Sequence, residues 1–90
     1  MRDINSYVQL CAVYGVPHYM AEGIFNYVEE HKPPSDFLYA VLTNNLKEAA
    51  AAADDQNQRC LFEWVNMLWN EASSACWGSV EAVNAWLKKD

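Results

Sequence analysis

The side chains able to do acid–base or nucleophilic work are few: two histidines, His18 and His31, and three cysteines, Cys11, Cys60 and Cys76. Such chemistry needs partners converging on one point. Glu29-Glu30-His31 sets two carboxylates beside an imidazole, but adjacent positions on a helix face apart. A histidine closing a helix is accounted for by its favourable contact with the helix dipole. Cys60 falls on an apolar arc, where burial raises a thiol's pKa and makes it inert; Cys76, in a loop beside Trp77, is the thiol to test for reactivity. No H-x-x-x-H or C-x-x-C spacing suggests a metal site. Asp54-Asp55-Gln56-Asn57 has the look of part of a calcium loop but lacks the required glycine and terminal glutamate, so helix capping is the expected role. With only Gly15, Gly23 and Gly78 in the chain, no glycine-rich phosphate loop is present. The expectation is a protein with no catalytic residues, no metal and no cofactor.

What remains is binding, and the aromatic residues carry it. All four tryptophans, Trp64, Trp69, Trp77 and Trp86, stand in the C-terminal third of the chain. Trp77 follows a serine-rich turn and precedes Gly78, which permits a positive φ; it either plugs an end of the core or projects toward a partner. Tyr19 lies off the main stripe of its helix and is the tyrosine expected to be exposed. Tyr19, Glu29, His31, Asn44 and Trp77 are the candidate partner-binding residues.

The elements that must hold these residues all read as helices, about five of them. Asp3 or Asn5 caps a first helix that stops at Gly15. Pro17 suits the first position of a second helix, which carries Met20, Ile24, Tyr27 and Val28 and ends near His31 before Pro33-Pro34. Ser35 caps a third, with Phe37, Leu38, Val41, Leu42, Leu46 and Ala49 on one arc. Asn45 within that arc marks either a break or a buried polar group needing partners. A fourth helix, near residues 55–72, shows a very wide apolar arc and is expected to be central, covered on most sides. Arg59 and Glu63, spaced i, i+4, form an expected surface ion pair. Ser79 caps a short last helix bearing Val83 and Trp86. The reading is an all-α, compact bundle forming a single domain over residues 1–90.

Composition narrows the partners. The net charge is −6, from twelve acidic and six basic residues, and the basic ones are scattered. Direct nucleic-acid binding, which needs clustered Lys and Arg, is not expected. An acidic surface can also imitate DNA, but the modest charge density and absence of a long acidic run favour simple solubility. At 52% hydrophobic and 13% aromatic, ninety residues carry more apolar material than so small a volume easily hides. Self-association is the natural outlet, so a homo-oligomer is a second expected partner state. No apolar run reaches membrane-spanning length, and no basic-then-apolar leader opens the chain. Three unpaired cysteines then fit a reducing cytoplasm.

Pro17-His18-Tyr19-Met20, Tyr27-Val28-Glu29, Pro33-Pro34, Phe37-Leu38, Asn44-Asn45-Leu46, Leu68-Trp69-Asn70, Cys76-Trp77-Gly78-Ser79 and Trp86-Leu87 follow one another in a distinctive order. In this the chain resembles a family of small proteins encoded by tailed bacteriophages and prophages. The likeness runs from about Pro17 to Leu87, and Cys-Trp-Gly-Ser is its most specific part. Family versions often have a proline where Ser73 or Ser74 stands here, which bears on loop rigidity more than on fold. The resemblance implies an accessory phage product that binds a host protein, with inhibition of a host defence such as CRISPR as one setting. The alternative it implies is an oligomer that sequesters a small nucleotide signal.

Overall fold

A computed structural model describes residues 2–89, and its order follows the capping chemistry closely. Helix α1 (Ile4–Tyr14) begins where the Asp3 carboxylate accepts the Ser6 N–H and ends at Gly15, whose φ of 81° is left-handed. Pro17 does not start the second helix. It precedes a 3₁₀ turn, His18–Met20, and α2 (Ala21–Glu30) comes next, closed by His31 at φ 56°. Ser35 caps α3 (Asp36–Leu42), Asn45 caps α4 (Leu46–Ala52) and Asp54 caps α5 (Asp55–Arg59). Helix α6 (Leu61–Glu71), a second 3₁₀ turn (Ser74–Cys76) and α7 (Val80–Leu87), capped by Ser79, complete the chain.

The described residues thus hold seven α-helices rather than about five, because two expected helices are each divided. The first break answers the question posed by Asn45. Thr43 turns its hydroxyl back onto the Tyr39 carbonyl at 2.8 Å, Asn44 takes a left-handed φ of 63°, and Asn45 caps α4. Asparagine tolerates that conformation, whereas in alanine it costs about 1–2 kcal/mol. We therefore expect Asn44→Ala to lose about 1 kcal/mol in chemical denaturation, with Asn44→Gly close to the parent protein. The second break, at Cys60, divides the 55–72 segment. Asn57 and Trp64 would sit about 10 Å apart along an unbroken helix; here the indole N–H donates to the Asn57 Oδ1 at 2.8 Å, with both side chains buried.

Helix α1 packs against α2 and α6, α3 folds back on α4, and α7 lies on the second 3₁₀ turn. Between them sit Trp64, Tyr27, Ile24, Leu38, Leu42 and Leu68, all essentially sealed from solvent. Phe37 meets Trp64 edge-on, ring centres 5.9 Å apart. The polar ends of these residues are paired: the Tyr27 hydroxyl donates to the Cys76 carbonyl at 2.7 Å. Among the described residues no buried side-chain nitrogen or oxygen lacks a partner. Among the described residues the ion pair that forms is Arg2 with Glu71, 2.9 Å apart, rather than Arg59 with Glu63. No helix among the described residues is long and apolar enough to cross a membrane.

Candidate functional site

The five candidate residues do not form one site. Three of them serve the fold. The Glu29 carboxylate accepts the Tyr7 hydroxyl at 2.5 Å, joining α2 to α1. The His31 ring lies against Trp86, centres 4.7 Å apart, and its Nδ1–H donates to the Trp86 carbonyl at 2.9 Å. In return the Trp86 indole N–H donates to the carbonyls of Tyr27 and Val28 at 3.1 and 3.2 Å. Both carbonyls lie in the last turn of α2; that of Tyr27 already accepts the His31 N–H at 3.1 Å, and the indole supplies a further donor to each. Tyr19 is exposed, as expected, but its hydroxyl donates to the Asp54 carboxylate at 2.5 Å and ties the first 3₁₀ turn to the start of α5.

Asn44 and Trp77 are brought together. The Gly78 N–H donates to the carbonyl of Leu42 at 2.6 Å, which draws the 73–78 loop onto the end of α3. Gly78 has a φ of 108°, a value that a side chain would strain, so the turn that presents Trp77 depends on glycine. Trp77 lines an open groove of about 440 Å³ together with Val41 and Asn44 and with Val65 and Trp69 of α6. Ser74 and Asn44 are its polar edges, and no charged residue lines it. A smaller groove bordered by Asn45, Leu46 and Leu61 continues from it across the shared Val41, Asn44 and Val65.

Helix α6 borders both grooves. Its inner face, Trp64, Met67 and Leu68, is buried, whereas Phe62 is 80% exposed, Trp69 78% and Val65 47%. Leu46 of α4, beside them, is 71% exposed. The wide apolar arc is therefore real but is not covered all round: this chain buries one side of it and presents the other. Phe62, Val65 and Trp69 stand at i, i+3 and i+7, the spacing of a single helical stripe. Neither Phe62 nor Trp69 is among the candidate residues that the sequence suggests, because apolar periodicity reports which side chains share a face and not whether that face has a neighbour.

The thiols are poor nucleophiles. Cys76 is fully buried rather than presented by its loop, and burial pushes its pKa from 9.0 up to about 11. Burial likewise raises Cys11 and Cys60. Among the described residues no three His, Cys, Asp or Glu side chains gather where they could hold a metal ion. What the arrangement can do chemically is bury flat apolar surface against a partner and read a few polar groups through Asn44 and Ser74. Comparison with known proteins finds no matching family model, no matching curated protein and no matching solved structure.

Proposed function

We propose that this chain is a non-enzymatic accessory protein of a bacteriophage or prophage that acts by binding a host protein. Interference with a host defence system, such as a CRISPR complex, is the setting we favour. The observation that carries this reading is the uncharged groove between Trp69 and Trp77, continuous with the exposed α6 stripe, on a protein whose net charge is −6. Interface centres are enriched in such aromatic anchors and depleted in charge. Asn44, next to Trp77, is positioned to satisfy a backbone group of the partner.

The test is capture of host proteins by the immobilised parent protein, beside Trp69→Ala and Asn44→Gly. Trp69 is largely in solvent and Asn44→Gly keeps the turn, so both variants should fold. We expect a retained host protein whose affinity drops at least about thirtyfold with Trp69→Ala, the range of an interface hot spot. Capture that both variants leave unchanged, or no specific capture at all, would end this reading.

A second reading, an oligomer that sequesters a small nucleotide, is favoured by one feature. The groove's volume lies within the roughly 300–1,000 Å³ of small-molecule sites, and two indoles flank it. The missing cations weigh against a phosphate-bearing ligand. Tryptophan fluorescence titrated with cyclic nucleotides separates the two: saturable quenching lost in Trp69→Ala supports the ligand, and a flat response removes it.

A further inference from the structure

The outer face of α6 calls for a covering surface, and we infer that in the free protein a second copy of this chain provides it, as a two-fold dimer with α6 packed antiparallel on α6. Three observations carry this. The first is area. At the exposures of Phe62, Trp69, Leu46 and Val65, the stripe and its border present on the order of 500 Å² of apolar side chain. That is about a tenth of the 5455 Å² surface of one copy, the share that a specific interface usually takes. Two such faces together reach roughly 1,000 Å² before any polar rim is added, the threshold for a specific association.

The second is charge. Each copy carries −6, so most ways of bringing two copies together set like charges against each other. The stripe Phe62, Val65, Asn66, Trp69 and Asn70 holds no ionisable group, which makes it a face where two copies meet without that penalty.

The third is shape. Phe62 stands out as the most exposed large apolar side chain, while Trp69 borders an open groove one helical stripe away. They are seven residues, about 10 Å, apart along α6. A two-fold axis crossing the helix between Val65 and Asn66 sets each copy's Phe62 against the other's Trp69, so a knob meets a groove twice. Because the same face is the proposed host contact, host protein and second copy compete for it.

Mass by light scattering over roughly 1–200 µM, together with two variants, tests the dimer. We expect a mass of twice 10.3 kDa at high concentration, falling twofold on dilution. Phe62→Arg should weaken self-association at least about thirtyfold, with helix content close to the parent, and with a melting temperature close to it at dilutions where both are monomers, because Phe62 makes little contact within its own chain. Asn66→Cys, next to the axis, should give a disulfide-linked dimer under mild oxidation. Val13→Cys, at a 76% exposed position on α1 outside the face, should not. The native cysteines are buried and do not interfere. A monomer at every concentration, an oligomer that Phe62→Arg leaves intact, or equal cross-linking at 66 and 13 each overturns the inference. Host capture by the Phe62→Arg protein is scored separately, so loss of the dimer and loss of the host-binding reading are told apart.

Discussion

Trp64→Ala is expected to cost about 3–5 kcal/mol, the range for removing a large aromatic from a closed core. A ninety-residue domain has a total stability toward the lower end of about 5–15 kcal/mol, so the variant should be largely unfolded at room temperature by circular dichroism. Two losses add. The indole fills the space between α5, α6 and Phe37 and is enclosed on every side, so its removal leaves a sealed cavity. Its N–H is also the donor that satisfies the buried Asn57 Oδ1, and an orphaned buried acceptor costs a further 1–3 kcal/mol or so. Trp64→Phe, which keeps most of the volume and removes the donor, should fall between parent and Trp64→Ala. Asn57→Ala with and without Trp64→Phe gives the coupling directly. If the double variant loses as much as the two single losses combined, the hydrogen bond is not what holds α5 to α6.

Raising the pH should unfold the protein over a defined window. The hydroxyls of Tyr7 and Tyr27 are held well above the usual phenol value of 10.0, first by burial and, for Tyr7, then by its bond to Glu29. Those of Tyr14 and Tyr19 are raised by donating to the Glu71 and Asp54 carboxylates, Tyr19 to about 12. The buried thiols shift the same way, Cys76 to about 11. A raised folded pKa means the folded state prefers the proton. The stabilisation is therefore complete below the unfolded values of 9.0 and 10.0 and is lost as the pH climbs through the folded ones. The denaturation midpoint should be level up to about pH 9 and drop steeply between about 10 and 12. Phenolate absorbance from Tyr7 and Tyr27, whose shifts are led by burial, should appear together with the loss of helix. Phenolate formation that runs to completion with the helical signal intact would show that these hydroxyls are not gripped as described.

How much of this can be read from residues alone depends on the range of the interaction concerned. Caps are local: Asp3, Ser35, Asp54 and Ser79 each satisfy a backbone N–H three residues on, and each is legible as such. The stop at Gly15 and the close of α2 at His31 are local too. The divided helices are less so. Asn44 and Asn45 announce a choice, and it is settled by the docking of Gly78 onto Leu42, thirty-six positions away in the chain. The break at Cys60 has no turn-forming residue to announce it, and it comes with the Asn57–Trp64 bond, which no propensity encodes. At the site, Trp77 and Asn44 stand out because a loop tryptophan and an irregular asparagine attract notice singly. Phe62 and Trp69 read as core because an apolar helical stripe looks the same covered or bare. Glu29 and His31 mislead for the converse reason: polar side chains that look available are occupied by Tyr7 and Trp86.

The latch between Trp86 and the end of α2 also constrains how the molecule comes into being during translation. The groups it joins are 58 and 59 positions apart, with the indole on α7. The α1–α2 and α3–α4 pairs need only neighbouring sequence and can assemble as they leave the ribosome. The Val28 carbonyl at the end of α2 stays hydrated until α7 emerges. A ribosome tunnel covers the most recent stretch of chain, so this closure waits until α7 has cleared it, and truncated chains ending before Trp86 are the ones a protease should find open.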